Sequence, residues 1–272
     1  MAFAPRIINV ATSWYEESSL PKFENPPVAE TAMGVEFSPV EGLGFIGLTR
    51  LQERWAQRFP ILTEMGGMPP TYDSAPPFEF VQGTPPVRVW AEGIEDGLLV
   101  QTQADRLILN WRHNFTPAPY PGYHMLRAEY EALWNQFLEF LGEFNLRAPA
   151  PIAAEYTYVN NVQLNQGETY ADVISVIAHP ERELPGDDMG TRFQFTRGVA
   201  PSEENPYPAQ IWVAGEPFQG DPSVLLLNVT TKVLFAAGGE PLHAIDIAHA
   251  LSSHTFANIT SESKHADWSR EA

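Results

Sequence analysis

Two prolines one residue apart, Pro149 and Pro151, cut this chain directly behind its strongest helical stripe, and the order of elements before them starts again after them. From Tyr123 to Asn145 the residues Leu126, Tyr130, Leu133, Trp134, Phe137, Leu141 and Phe144 recur at spacings of three and four. Glu129, Glu131, Asn135, Gln136, Glu139 and Glu143 fall between them, so the pattern predicts one long amphipathic helix. Proline lacks the N–H that a helix needs and restricts the residue before it, so Arg147-Ala148-Pro149-Ala150-Pro151 ends that helix and separates two units.

Residues 1–27, with Pro5, Pro21, Pro26 and Pro27 and no lasting periodicity, read as an extended arm. The first unit, 28–148, opens on a strand from Val28 to Phe37, where Thr31, Met33, Val35 and Phe37 alternate with Glu30, Ala32, Gly34 and Glu36. A helix carrying Leu48, Leu51, Trp55 and Phe59 follows and is closed by Pro60; Met65 to Pro86, crowded with proline and glycine, reads as a long loop with Tyr72, Phe78 and Phe80 in it. Val87 to Glu92, Leu98 to Gln103 and Arg106 to Arg112 form a meander with turns at Glu95-Asp96-Gly97 and Ala104-Asp105, and the long helix completes the unit. The second unit, 152–272, repeats the order: a strand from Ile152 to Val162, a helix from Thr169 to Ile177, and strands at 192–199, 210–215 and 224–235. Its last helix, 241–259, starts at Pro241 behind Gly238-Gly239. The expected fold class is α+β: two tandem β-α-β-β-β-α units forming a curved antiparallel sheet with helices packed on one face. Whether the units share one continuous sheet stays open at this point.

Chemistry is bounded mainly by exclusion. The chain of 272 residues has no cysteine, which removes disulfides, thiolate metal sites and cysteine nucleophiles. With 34 acidic against 16 basic residues the formal charge is −18, so direct binding to nucleic acid or an anionic membrane runs against net repulsion. The apolar runs are too short to span a bilayer, and Met1 to Val10 lacks the character of a secretory signal, so the expected location is the cytoplasm. No phosphate-binding loop, dinucleotide fingerprint, nucleophile elbow or zinc-protease motif occurs. No cofactor is expected, and catalytic residues are unassigned. Metal binding is not expected either; the weak candidate is His243, Asp246 and His249, three residues apart on the last helix, with His254 as an extra ligand.

Polar side chains inside strands are the sharper signal. Asn110 and Arg112 alternate with Trp111, so they share a face opposite a core-anchoring tryptophan; Tyr156, Tyr158 and Asn160 likewise share a face of their strand. These five form the candidate face for a ligand or partner, the alternative being a face that meets solvent or satisfies itself with internal hydrogen bonds.

The segments Pro26-Pro27-Val28-Ala29-Glu30, Gly34-Val35-Glu36-Phe37, Trp55 to Pro60, Arg88-Val89-Trp90, Leu98 to Gln103, Asn110-Trp111-Arg112, Tyr120 to Leu146 and Glu155-Tyr156-Thr157-Tyr158-Val159-Asn160 carry a resemblance. Taken jointly they resemble a family of uncharacterised, sporadically distributed bacterial proteins, best over residues 26–162. That resemblance implies carriage on mobile or defence-related elements and brings no activity or site residues with it. The expected function is a non-enzymatic protein-interaction module serving a companion protein, with self-association left open. The alternative is a small-molecule binder or hydrolytic enzyme whose pocket between sheet and long helix uses Arg112, Tyr156 and His243 or His249.

Overall fold

The computed structural model describes residues 12–68, 87–177, 191–203, 205–235 and 239–271. Its strands are β1 Val28–Phe37, β2 Ile61–Gly66, β3 Val87–Glu92, β4 Leu98–Gln103, β5 Arg106–Arg112, β6 Pro151–Gln163, β7 Phe193–Val199, β8 Ala209–Phe218 and β9 Asp221–Leu234. The helices are α1 Phe45–Trp55, α2 Tyr123–Glu143, α3 Tyr170–Val173, α4 Pro241–Ile259 and α5 Glu262–Asp267. The fold is mixed α+β, with an antiparallel sheet in the strand order β2-β3-β4-β5-β1-β6-β9-β8-β7. Among the described residues no helix is long and apolar enough to cross a membrane.

Three elements differ from the sequence reading. The first half gains a strand, β2, whose six residues all pair with β3; Met65 and Gly66, expected to open the long loop, end this strand instead. The remainder of that loop, 69–86 with Tyr72, Phe78 and Phe80, lies outside the described residues, as do residues 1–11 of the arm. The helix expected over 169–177 shrinks to the single turn α3, because Ile174 bridges to Thr260 and Ser175 N–H donates to the Ile259 carbonyl. A short helix, α5, follows α4 where none was expected.

The chain divides into two compact units, residues 34–150 and residues 1–33 with 151–272, so that β1 contributes to both. In the 34–150 unit, α1 and α2 cover one face of the sheet. Leu98, Val100, Leu107, Leu109 and Trp111 form that face, and Phe37 stacks on Phe137 of α2 at 5.5 Å. Gln52 of α1 donates to Thr102 Oγ1 at 2.7 Å, and Trp55 Nε1 donates to Gln136 at 2.8 Å, fixing α1 to both sheet and α2. Tyr130 is fully buried and donates its hydroxyl to the Leu107 carbonyl at 3.1 Å; burial pushes its pKa far above the ordinary phenol range. Gly34 lets β1 approach β5, since a Cβ there would lie 2.7 Å from the Leu107 carbonyl oxygen and 2.8 Å from Ile108 Cγ1.

In the other unit, α4 covers the face of β6, β9 and β8 that carries Ala154, Tyr156, Val162, Leu225, Leu227, Val229, Ile211 and Val213. Apolar side chains surround α4 over most of its circumference, so it is an interior helix rather than an amphipathic one. The arm joins this core through Trp14, stacked on His254 at 4.7 Å, and Phe23, edge-on to Trp268 at 5.8 Å.

Candidate functional site

Side chains alternate across a strand, so the residues of the 34–150 unit that point away from α1 and α2 are fixed by register. They are Arg88, Trp90 and Glu92 of β3, Leu99, Gln101 and Gln103 of β4, and Arg106, Ile108, Asn110 and Arg112 of β5, with Glu36 of β1. Most of this second face is polar, and much of it is buried. Gln101 is its hub: its amide donates to Asn110 Oδ1 at 2.7 Å, and its carbonyl accepts from Arg88 Nη1 at 3.0 Å. Arg106 pairs with Asp105 at 3.0 Å and approaches Glu36 at 3.8 Å. Gln103 donates to Asp105 at 2.8 Å and holds the main chain of Met68 by two bonds, accepting from its N–H at 2.8 Å and donating to its carbonyl at 3.0 Å.

Trp90 lies within cation–π range of two guanidinium groups. Arg88 lies 5.4 Å and Arg112 6.0 Å from the Trp90 ring, and Arg112 also covers Phe115 at 3.7 Å. Arg112 donates to Glu92 at 2.6 Å. Three N–H groups in this stack, Arg88 Nε, Trp90 Nε1 and Arg112 Nε, are buried and donate to nothing among the described residues. Burial, with the nearby charge of Arg106, draws the Arg88 pKa below its ordinary value. Among the described residues the Arg88 side chain has no carboxylate partner and one hydrogen bond, to the Gln101 amide.

The residues singled out from the sequence divide between the units. Asn110 and Arg112 belong to the polar face just described, opposite the buried Trp111. Tyr156, Tyr158 and Asn160 share the β6 face beneath α4 and lie in the other unit. Tyr158 Oη is 3.0 Å from His249 Nε2, which is also 3.2 Å from Ser253 Oγ, while the Tyr156 ring meets His249 edge-on at 5.0 Å. Asn160 donates to the Leu227 carbonyl at 3.2 Å, and Ser252 bonds both the Tyr156 carbonyl and Thr231. Together these bonds clip α4 to β6 and β9. His243, Asp246 and His249 do not form a metal-ligating group, and among the described residues no three His, Asp or Glu side chains do.

A second surface was not singled out from the sequence. Opposite α4, the paired rows Thr157–Thr230–Trp212–Thr196 and Val159–Asn228–Ala214–Gln194 cross four strands, and Asn161–Leu226–Glu216 runs beside them. The side chains in its centre are half-exposed. Charge sits at its margins, in the pairs Lys232–Glu155 at 3.3 Å and Arg192–Glu216 at 3.4 Å. The Asn161 and Asn228 side-chain oxygens are buried and accept nothing among the described residues. An open depression of about 380 Å³ at the β7 side is lined by Phe193, Gln194, Ala214 and Asn228 among others. Apolar residues alternate poorly along Gln210-Ile211-Trp212-Val213-Ala214, which hid this face in the sequence; Thr157 and Asn161 of β6 with Asn228 and Thr230 of β9, each pair two residues or a multiple of two apart, were the usable signal.

No family model matches the chain, and no curated protein or solved structure matches it.

Proposed function

We propose that this chain is a non-enzymatic protein-interaction module, and that Trp212 is the centre of its docking face. One observation carries the reading: the four-strand face opposite α4 has an uncharged centre of Thr, Asn, Val, Leu and Trp bordered by ion pairs, on a chain whose net charge is −18. Protein interfaces are depleted of charge at their centres and enriched in aromatic residues, with a polar rim. The unpartnered oxygens of Asn161 and Asn228 add two acceptors that a partner's donors would satisfy.

The partner in this reading is a companion protein encoded with the chain, as the resemblance to sporadically distributed bacterial proteins suggests. The order of elements, strand, short helix, meander and long helix in each half, also supports reading the chain as two variations of one β-α-β-β-β-α plan, with β2 and α5 as additions.

The test is affinity purification from the native host with Trp212→Glu beside the wild type. Wild-type protein is expected to bring down a stoichiometric companion that the variant loses while keeping its circular dichroism. A wild type that emerges alone, or a companion retained by Trp212→Glu, overturns the reading.

A further inference from the structure

We infer that the polar face of the 34–150 unit holds a small oxyanion, a carboxylate or phosphate group, beside the cluster of Arg88, Trp90 and Arg112. This site is independent of the Trp212 face and extends the chain's function to a ligand.

Buried donors without acceptors are scarce in folded proteins, and each costs on the order of 1–3 kcal/mol. Here three of them gather on one aromatic stack: Arg88 Nε, Trp90 Nε1 and Arg112 Nε. All three are N–H groups, so the missing species is an acceptor. A water oxygen accepts about two hydrogen bonds, whereas a carboxylate offers about four lone-pair sites and a phosphate more, so an oxyanion has the acceptor capacity that this cluster of donors calls for.

Charge points the same way. The acids of this face are engaged elsewhere, Asp105 and Glu36 with Arg106 and Glu92 with Arg112, which leaves the Arg88 side chain, among the described residues, bonded to the neutral Gln101 amide. Among the described residues no carboxylate balances that guanidinium, and an anion would supply the counter-charge. Gln101 and Glu92 then act as positioning residues, fixing one Nη of each arginine so that the Nε edges remain for the ligand.

The experiment uses the full chain and reads indole fluorescence and melting temperature against inorganic phosphate and, separately, acetate, at constant ionic strength with chloride as the reference. Wild-type protein is expected to show a saturable rise in melting temperature with at least one of the two anions, and the arm that responds identifies phosphate or carboxylate as the source. Trp90→Phe removes the indole N–H while keeping a ring and is expected to weaken binding about tenfold, the equivalent of one hydrogen bond of about 1.4 kcal/mol. Arg88→Gln is expected to abolish it, and Trp212→Glu to leave it unchanged. Absence of any saturable response in the wild type overturns the proposal, as does an equal response in Trp90→Phe; should Arg88→Gln fail to fold, Trp90→Phe alone decides.

Discussion

The bond between Arg88 and Gln101 is the most exposed to test of the contacts that hold the polar face together, because both partners lose something specific when either is removed. Gln101→Leu deletes the 3.0 Å bond from Arg88 and the 2.7 Å bond to Asn110. The first, made to a charged group, is worth about 1.5–3 kcal/mol and the second about 1 kcal/mol. Burying the leucine methyls returns about 1 kcal/mol, so the net cost is about 1.5–3 kcal/mol. Arg88→Met removes the same charged bond, strands the Gln101 carbonyl and loses the contact with Trp90, for a similar cost of about 2–3 kcal/mol.

In the double variant neither partner is stranded, so the shared bond is counted once. The cost of the double is therefore expected to fall about 1.5–3 kcal/mol short of the sum of the singles. Urea unfolding in a chloride buffer, followed by circular dichroism, reads this directly, since a slope of about 1–3 kcal/mol per molar urea turns the coupling into a midpoint difference of about 1 M. Additivity of the two substitutions to within about 0.5 kcal/mol refutes the reasoning, for it means that Arg88 and Gln101 do not share that bond in solution.

Two further predictions concern the other unit. Lys264 is almost fully buried between Glu168 at 2.7 Å and Asp267 at 3.2 Å, so Glu168→Gln, which leaves the ammonium with Asp267 alone, is expected to cost about 3 kcal/mol. Lys264→Met is expected to cost less, because both acids keep access to water; chemical denaturation of the two variants that ranks them the other way contradicts this. His254 and His265 are both held below the ordinary imidazole pKa, in each case by burial first and then by the charge of Arg270. A lowered folded pKa means that the unfolded chain binds protons more readily, so this stability is present above about pH 6.5 and is lost as the pH falls below it. Melting temperature is expected to drop from pH 7 to pH 5 and the drop to flatten in His254→Phe, which keeps the stack on Trp14; an unchanged slope in that variant rules His254 out as a contributor.

Elements were legible in the sequence where burial and periodicity agree. The stripe Leu126, Tyr130, Leu133, Trp134, Phe137 and Leu141 is the buried side of α2, and Pro241 marks the first residue of α4. β2 was illegible for the opposite reason: Ile61, Leu62, Thr63 and Glu64 are all exposed, so no alternation records the pairing with β3 that makes the segment a strand. Thr169 to Ile177 carries a helical spacing that lost to tertiary structure, since the main chain of Ile174 and Ser175 is consumed by pairing with the end of α4.

Alternation also told which polar residues share a face, but not which face a helix covers. Tyr156, Tyr158 and Asn160 do lie side by side, and their polarity is used internally, on His249 and on the Leu227 carbonyl, beneath a helix whose own sequence gives no sign that it sits there. Arg88 and Trp90 alternate in the same way in β3, yet nothing in Arg88-Val89-Trp90 says that the acids of that face would be taken by Arg106 and Arg112. That allocation is a property of register across β3, β4 and β5, and it is what leaves Arg88, among the described residues, with the Gln101 amide in place of a carboxylate. It also sets the range of the force available there. With a net charge of −18 the protein as a whole repels anions, so an oxyanion at Trp90 must be held by contacts of hydrogen-bond length rather than by the long-range field. Salt separates the two: raising it with chloride screens the repulsion over about 8 Å and leaves short contacts largely intact. Phosphate or acetate affinity should therefore hold or improve with added chloride, where a site living on general electrostatic attraction would lose it.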